Sequence, residues 1–286
     1  MHDLTTIEAR LAAEEAKVPH LREGCQKRII WADRRAMTTP VSVVYIHGFS
    51  ASGEELRPLP DLVATGLRAN LFFTRLTGHG QDSTAMGQAT LAAWRADVAE
   101  ALAIAQLIGN EVIMMGCSTG CTLASLALAD GAHAKGMVHV SPNFGLRHKL
   151  LQSLLDMPAS RTWSRYIAGE TRSFPAKNAA HAAYWTLTYP TEAVHVMAET
   201  VQAARRANLG KIDTPALFCF NEADQVVHPA ETRRAIAEWG APTEMICLRQ
   251  TPDDDAMGHI MAGDIMSPKQ TVPLAQRILA WCDTLP

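Results

Sequence analysis

The stretch from Glu111 to Ala129 constrains this chain more than any other. Glu111 to Met115 is a short apolar run that ends in Gly116-Cys117-Ser118-Thr119-Gly120, and Thr119 to Ala129 follows as a helix of small residues. A strand that passes into a helix through G-x-S-x-G must turn sharply at the Ser. Glycines two positions to either side let neighbouring backbone come close without a Cβ clash, and the Ser is held in a strained conformation. Its hydroxyl then stands above the sheet, and the Thr119 backbone N–H points at the same place. The five-residue pattern alone is weak. The strand before it and the helix after it give it meaning, against the plain reading of a glycine-rich turn with a solvated Ser.

The same unit recurs along the chain. Val41 to Ile46 is β-branched and nearly continuous in apolar residues, and it stops at His47-Gly48-Phe49. Ala69 to Arg75 stops at Gly78-His79-Gly80, Gly136 to Val140 stops at Ser141-Pro142, and Pro215 to Phe220 ends near Asp224. Thr243 to Leu248 is a further strand, and Gln26 to Ala32 a candidate early one. Helical patterns lie between, at Leu91 to Leu107, Pro229 to Trp239 and Val272 to Leu285, with another in the first twenty residues. Unbroken apolar strands alternating with helices predict an α/β fold with a mostly parallel sheet covered on both faces. From Phe144 to about Leu209 no strand-like run occurs, and Pro158, Gly169, Pro175 and Pro190 punctuate short helical patterns. At roughly 65 residues this exceeds a simple crossover, so it is expected to be a helical insertion. Leaving the sheet at strand carboxyl ends, it would lie over the place where open α/β sheets bind ligands. The expected division is a core of 1–143 and 210–286 with a cap of 144–209.

Composition narrows the function. With 26 Lys+Arg against 29 Asp+Glu and a net charge of −3, there is no surplus for a phosphate backbone, so a nucleic-acid partner is not expected. The chain is 48% hydrophobic, which excludes disorder, but no apolar run reaches the ~20 residues of a membrane helix. No signal peptide is evident at Met1-His2-Asp3-Leu4, and the six Cys are scattered without C-x-x-C. Buried reduced thiols in a cytoplasmic protein account for them. Cys117 and Cys121, which flank Ser118, are read as packing residues. G-x-G-x-x-G and G-x-x-x-x-G-K-[ST] are both missing, and no acid ends Gly136 to Val140, so neither a dinucleotide nor a P-loop nucleotide is expected. The His show no H-E-x-x-H or comparable spacing, so no metal and no cofactor are expected.

From Val41 onward the chain resembles the α/β-hydrolase superfamily, and looks most like its carboxylesterases and monoacylglycerol-lipase-like serine hydrolases with a small helical cap. The landmarks come in the family's order: His47-Gly48-Phe49 after the third strand, Gly78-His79-Gly80 after the fourth, the elbow after the fifth, then cap, acid and base. The resemblance implies the α/β-hydrolase fold and a triad of Ser118, Asp224 and His259. Asn221 to Pro229 is similar to the family's acid loop G-x-x-D-x-V-V-x-P, with Asn221 where Gly is usual; Asn tolerates a left-handed backbone better than most residues. His259, in Met257-Gly258-His259-Ile260, is the only His after His228. Glu222 and the run Asp253-Asp254-Asp255 are rival acids, the first on the opposite side of a strand end and the second read as a solvated loop. His228 is a rival base at a helix start.

The resemblance also implies a mechanism. His259 takes the Ser118 proton and later passes it to the leaving alcohol, and Asp224 fixes the imidazole tautomer. The backbone N–H groups of Phe49 and Thr119 form the oxyanion hole. His47 and His79 belong to the family's turns and are more often structural there, though His47 also counts as a pocket candidate. Pocket candidates are His47, Phe144, Trp163, Trp185 and Val227; Phe49 and the insertion's Leu150, Leu154, Leu155, Met157, Tyr166 and Met197 are apolar too, and the plainer reading of most of these is that they pack cap on core. The expected substrate is a small-molecule carboxylic ester with a short- or medium-chain acyl group. The same triad also suits a thioester, an amide, a C–C bond or acyl transfer, and a non-catalytic binding protein on this fold is the reading from another class. A Ser nucleophile argues against dehalogenase or epoxide-hydrolase chemistry, which uses Asp.

Overall fold

The computed structural model describes residues 3–148 and 169–286. In chain order the strands are β1 (Arg28–Ile30), β2 (Thr39–Ile46), β3 (Asn70–Phe73), β4 (Gly109–Cys117), β5 (Gly136–Val140), β6 (Thr171–Ser173), β7 (Thr188–Pro190), β8 (Ala216–Asn221) and β9 (Thr243–Leu248). The described helices are α1 (Ile7–Glu15), α2 (Leu59–Leu67), α3 (Ser83–Gly87), α4 (Leu91–Ile108), α5 (Thr119–Ala129), α6 (Ala179–Tyr184), α7 (Thr191–Arg206), α8 (Pro229–Glu238) and α9 (Pro268–Cys282).

Seven strands form one sheet in the order β1-β3-β2-β4-β5-β8-β9. All neighbours are parallel except β1, which runs antiparallel to β3 at the edge. Among the described residues no strand precedes β1, so the His47 turn follows the second strand of the sheet and the elbow the fourth. Consecutive strand residues serve opposite faces, as the pleat requires. Val44 and Ile46 pack with Trp94, Leu123 and Phe218 on one side; Val43 and Tyr45 pack with Leu59, Phe73 and Ile278 on the other. Helices α4 and α5 cover the first face, and α2 lies against α9 on the second. The N-terminal helix is fastened by a buried two-pronged pair between Glu15 and the Arg75 guanidinium, both contacts 2.8 Å.

Chain order reverses between β2 and β4. β3 lies to one side of β2, while β4 and β5 lie to the other. The carboxyl ends of β2 and β4 therefore flank a crevice, the usual ligand position in such sheets.

The described part of the segment between β5 and β8 holds a strand pair that the sequence does not predict. β6 and β7 pair antiparallel, with Arg172 opposite Tyr189, where no strand was expected. Both are three residues long, too short to show a period in the sequence. Helix α7 buries Val196, Val201 and Ala204 against α5 and the first core face. Further differences concern helices, α3 among them. α2 was not expected, because Pro60 and Gly66 interrupt its pattern, and α9 begins at Pro268, four residues before the expected start, with Pro273 inside its first turns.

Candidate active site

Ser118 sits between β4 and α5 with φ +49° and ψ −114°, a left-handed backbone that a non-Gly residue adopts at a cost. The turn is held from several sides. The Ser118 N–H donates to Val140 O at 3.0 Å, and Ser118 O accepts from the N–H groups of Cys121 at 3.1 Å and Asn143 at 3.2 Å. Gly120 is obligatory, since a Cβ there would stand 2.0 Å from Ile46 O and 2.7 Å from His47 O. Gly48 is confined less severely: its Cβ would lie 3.3 Å from Ser118 Cβ. The turn after β2 and the turn after β4 thus touch across the crevice.

Asp224 and His259 come to the same place from β8 and the loop after β9. His259 Nδ1 lies 2.8 Å from Asp224 Oδ2, and both side chains are buried. The other Asp224 oxygen accepts from the N–H groups of Val226 at 2.7 Å and Val227 at 2.9 Å, so the carboxylate cannot rotate freely. Burial works against the charged imidazolium, but Asp224, with Asp255 and Glu55 beyond it, outweighs burial and holds the His259 pKa above its ordinary value. Asn221 is not left-handed. It ends β8, its Oδ1 accepts from the Ala223 N–H at 3.0 Å, and its amide donates to Gly258 O at 3.1 Å. It joins the Asp224 loop to the His259 loop, a contact that Gly could not make.

The three-Asp run is not a solvated loop. Asp253 is exposed and pairs with Lys269, but Asp254 and Asp255 are buried. One Asp255 oxygen accepts from the N–H groups of His259 at 3.1 Å and Ile260 at 3.0 Å. The other accepts from the Met257 N–H at 3.2 Å and from the Lys177 ammonium. Burial opposes the charge of Asp255, but Lys177 and these amides prevail, and its pKa is lowered. Asp255 is therefore the scaffold of the His259 loop, a role the sequence reading missed. The available signal was an acid a few residues ahead of a Gly-containing turn, where it can accept from the turn's amides. The rival acid Glu222 is half exposed and pairs with Arg233, and His228 starts α8, its Nδ1 accepting from the Ala230 N–H at 3.2 Å.

The cavity over Ser118 has a volume of about 540 Å³. Ser118, Thr119, His259, Gly48 and Phe49 form its floor. Phe174, His181, Trp185, Tyr189 and Met197, from between β5 and β8, form an apolar wall. Its aromatic members touch edge to face or tilted in sequence: Phe49 to Tyr189 at 5.1 Å, Tyr189 to Phe174 at 6.3 Å, Phe174 to His181 at 5.8 Å, and His181 to Trp185 at 4.8 Å between centroids. The N-terminal segment props this wall, because the Arg22 guanidinium donates to Trp185 O at 2.8 Å and to the Thr186 hydroxyl at 2.8 Å.

Not every pocket candidate lines it. Trp185, Phe49 and Met197 do. His47 does not: it is fully buried beneath the floor, where Nδ1 donates to Gly48 O at 2.9 Å and Nε2 accepts from the Leu76 N–H at 3.0 Å. Burial pushes its pKa down to about 4, so it is a neutral structural group. Phe144 belongs to the core beside His139, and Val227 points inward while its neighbour Val226 reaches the cavity. Trp163, with Leu150, Leu154, Leu155, Met157 and Tyr166, lies outside the described residues. Cys117 and Cys121 are fully buried, and burial raises both thiols well above their ordinary pKa, which suits packing rather than reaction. Cys247, expected inside, is exposed on the outer strand β9. Among the described residues no group of three His, Cys, Asp or Glu could hold a metal ion, and no helix is long and apolar enough to cross a membrane.

Comparison with known proteins agrees with this fold. The chain is 26% identical over 197 residues to the thermostable monoacylglycerol lipase of Bacillus sp. (strain H-257), covering 66% of this chain and 73% of that protein. Among solved structures, one from work on the metagenome-derived lipolytic enzymes LipS and LipT superposes with a TM-score of 0.75 at 19% identity, over 92% of this chain and 99% of the other. The soluble variant of Saccharomyces cerevisiae monoglyceride lipase gives 0.65 at 15% identity, over 93% and 96%. The model of the alpha/beta hydrolase family matches residues 43–264. That span runs from β2 past the His259 loop and takes in Ser118, Asp224 and His259, so the chain belongs to the α/β-hydrolase family.

Proposed function

We propose that this protein hydrolyses carboxylic esters through Ser118, His259 and Asp224. The observation that carries the reading is the 2.8 Å contact of His259 Nδ1 with Asp224 in the cavity that holds the strained Ser118. With Nδ1–H given to Asp224, Nε2 is the free basic nitrogen. It removes the Ser118 proton as Oγ attacks the ester carbonyl. The oxyanion is received by the N–H groups of Phe49 and Thr119. The imidazolium then protonates the leaving alcohol, and an acyl-enzyme remains. Water, deprotonated by the same Nε2, attacks that acyl group, and the acid leaves with Ser118 restored.

The apolar wall supports an acyl or alkyl chain over a sugar or nucleotide, and about 540 Å³ suits a short or medium chain. The Bacillus relative, a monoacylglycerol lipase, supports the same class. We read 144–209 as a cap on a core of 1–143 and 210–286, with α7 as its packed root. A small-molecule ester is the proposed partner.

Ser118→Ala is expected to lower hydrolysis of p-nitrophenyl esters by about 10⁴-fold or more. A fluorophosphonate probe should label Ser118. Full activity in that variant, or labelling elsewhere, overturns the reading. A panel of acyl lengths beside a thioester and an amide reads the substrate class, with the short and medium esters expected to turn over fastest.

A further inference from the structure

The floor of the cavity holds a buried carboxyl that the mechanism above does not use. Glu55 lies in the loop between β2 and α2 and is 1% exposed. Its neighbour Glu54 is ordinary, paired with Arg28 and Arg57. No lysine or arginine pairs with Glu55 among the described residues. Instead its Oε1 accepts from the Gly48 N–H and from the Tyr45 hydroxyl, the latter at 2.8 Å. Tyr45 is fully buried on β2, its ring edge-on to Phe73 at 5.8 Å between centroids. The sheet therefore carries Tyr45, Tyr45 carries the carboxyl, and the carboxyl carries the Gly48 amide.

The next peptide is held from its other end. Gly48 O accepts from His47 Nδ1–H at 2.9 Å and from the Ala51 N–H at 3.3 Å. In a trans peptide the N–H points opposite to the C=O, so fixing Gly48 O fixes the direction of the Phe49 N–H. Gly48 is also where the pieces meet: a Cβ there would be 3.1 Å from Glu55 Oε2 and 3.3 Å from Ser118 Cβ.

We propose that Glu55 is the positioning residue of the oxyanion hole: its carboxyl, seated on Tyr45, holds the Gly48 amide so that the Phe49 N–H stays aimed at the carbonyl bound over Ser118. The proposal rests on the ester-hydrolase reading. What the loop needs from Glu55 is a buried acceptor for two donors, not a charge. Glutamine supplies that acceptor, and alanine does not.

The test compares E55Q, E55A and Y45F with the wild type, using p-nitrophenyl butyrate for kcat and KM. It adds the affinity for an alkylboronic acid, which bonds to Ser Oγ and places an oxygen in the oxyanion hole. E55Q should stay within about threefold of the wild type in kcat. E55A should lose about 10- to 100-fold in kcat, with KM within about twofold and boronate affinity falling in parallel. Y45F keeps the carboxyl but loosens its seat, and should fall between them; if E55A does not fold, Y45F carries the test. The proposal is overturned if kcat and boronate affinity are unchanged in E55A (or in Y45F, where that carries the test), if the loss appears only in KM, or if E55Q is as poor as E55A. A wild type with neither turnover nor boronate affinity sinks the ester reading and this proposal together, whereas an active wild type with an indifferent E55A sinks this proposal alone.

Discussion

The turn that carries Ser118 and the loop that carries His259 face one cavity, yet they are built by opposite means. The Ser118 turn is backbone packed on backbone. Its N–H and C=O groups are bonded to Val140, Cys121 and Asn143, and Gly120 lies against the carbonyls of Ile46 and His47. The His259 loop is irregular, and side chains hold it: Asp255 gathers three of its amides, Asn221 holds Gly258 O, and Ser267 takes the Asp255 N–H at 3.0 Å. Ser118 is thus fixed by the sheet itself, and His259 by polar groups that can titrate or be replaced.

A substitution that probes this difference most strongly is Gly120→Ala. The new methyl would meet main-chain oxygens that cannot move without moving β2, so the loss should be about 4 kcal/mol or more, or no folded protein at all. Gly258→Ala is its counterpart in the base loop. There φ is +62° and the nearest atom, 2.5 Å away, is the amide end of Asn221, which can yield. Its cost should be about 1–3 kcal/mol, mainly backbone strain. Chemical denaturation of the two variants checks the ordering, and equal losses would erase the distinction.

This difference also explains what the sequence discloses. Backbone packing demands particular residues at particular spacing, so the elbow is legible, and the bounds of Thr119–Ala129, Gly136–Val140 and Thr243–Leu248 follow from apolar pattern and turn residues alone. Side-chain scaffolding leaves no such pattern. Three consecutive Asp look solvated, and only the fold turns Asp255 inward and Asp253 outward. Glu54 and Glu55 are equally alike as letters, one paired with arginines and one buried under the cavity. His47, a pocket candidate from sequence, lies beneath the cavity, because a turn motif tells where the backbone goes and not which side of the floor its ring occupies.

Asp255 is the place to break the base loop without touching the elbow. Asp255→Ala removes the acceptor of three amides and should lower kcat by about 10- to 100-fold, since small displacements of a base are costly. Asp255→Asn keeps one acceptor oxygen but loses the charge, and should be milder. The two also differ in pH dependence from the wild type. In the proposed mechanism His259 must be neutral to act, so activity should rise with pH as its proton leaves, with that limb above the ordinary 6.5 because the pKa is raised. Asp255 is one of the charges that raise it, so Asp255→Asn should move the acid limb of kcat/KM to lower pH. A limb that stays in place would mean that the charge of Asp255 does not help to raise the His259 pKa.

The smallest expected effect belongs to Lys177, which reaches Asp255 from the segment between β5 and β8 and has a 35% exposed side chain. Water shares its charge, so the pair contributes little to holding the loop, where the three amide bonds remain. Lys177→Ala should therefore change kcat by about twofold or less. The pH limb should respond nonetheless. With the ammonium gone, the Asp255 carboxylate is less compensated, its pull on the imidazolium grows, and the limb should move upward, opposite in sign to Asp255→Asn. Opposite shifts from the two halves of one ion pair, with the large loss of rate confined to Asp255→Ala, would show that Asp255 carries the loop while Lys177 only trims its charge. Equal losses of kcat in Lys177→Ala and Asp255→Ala would instead make the contact with Lys177, and not the amides, the support of His259.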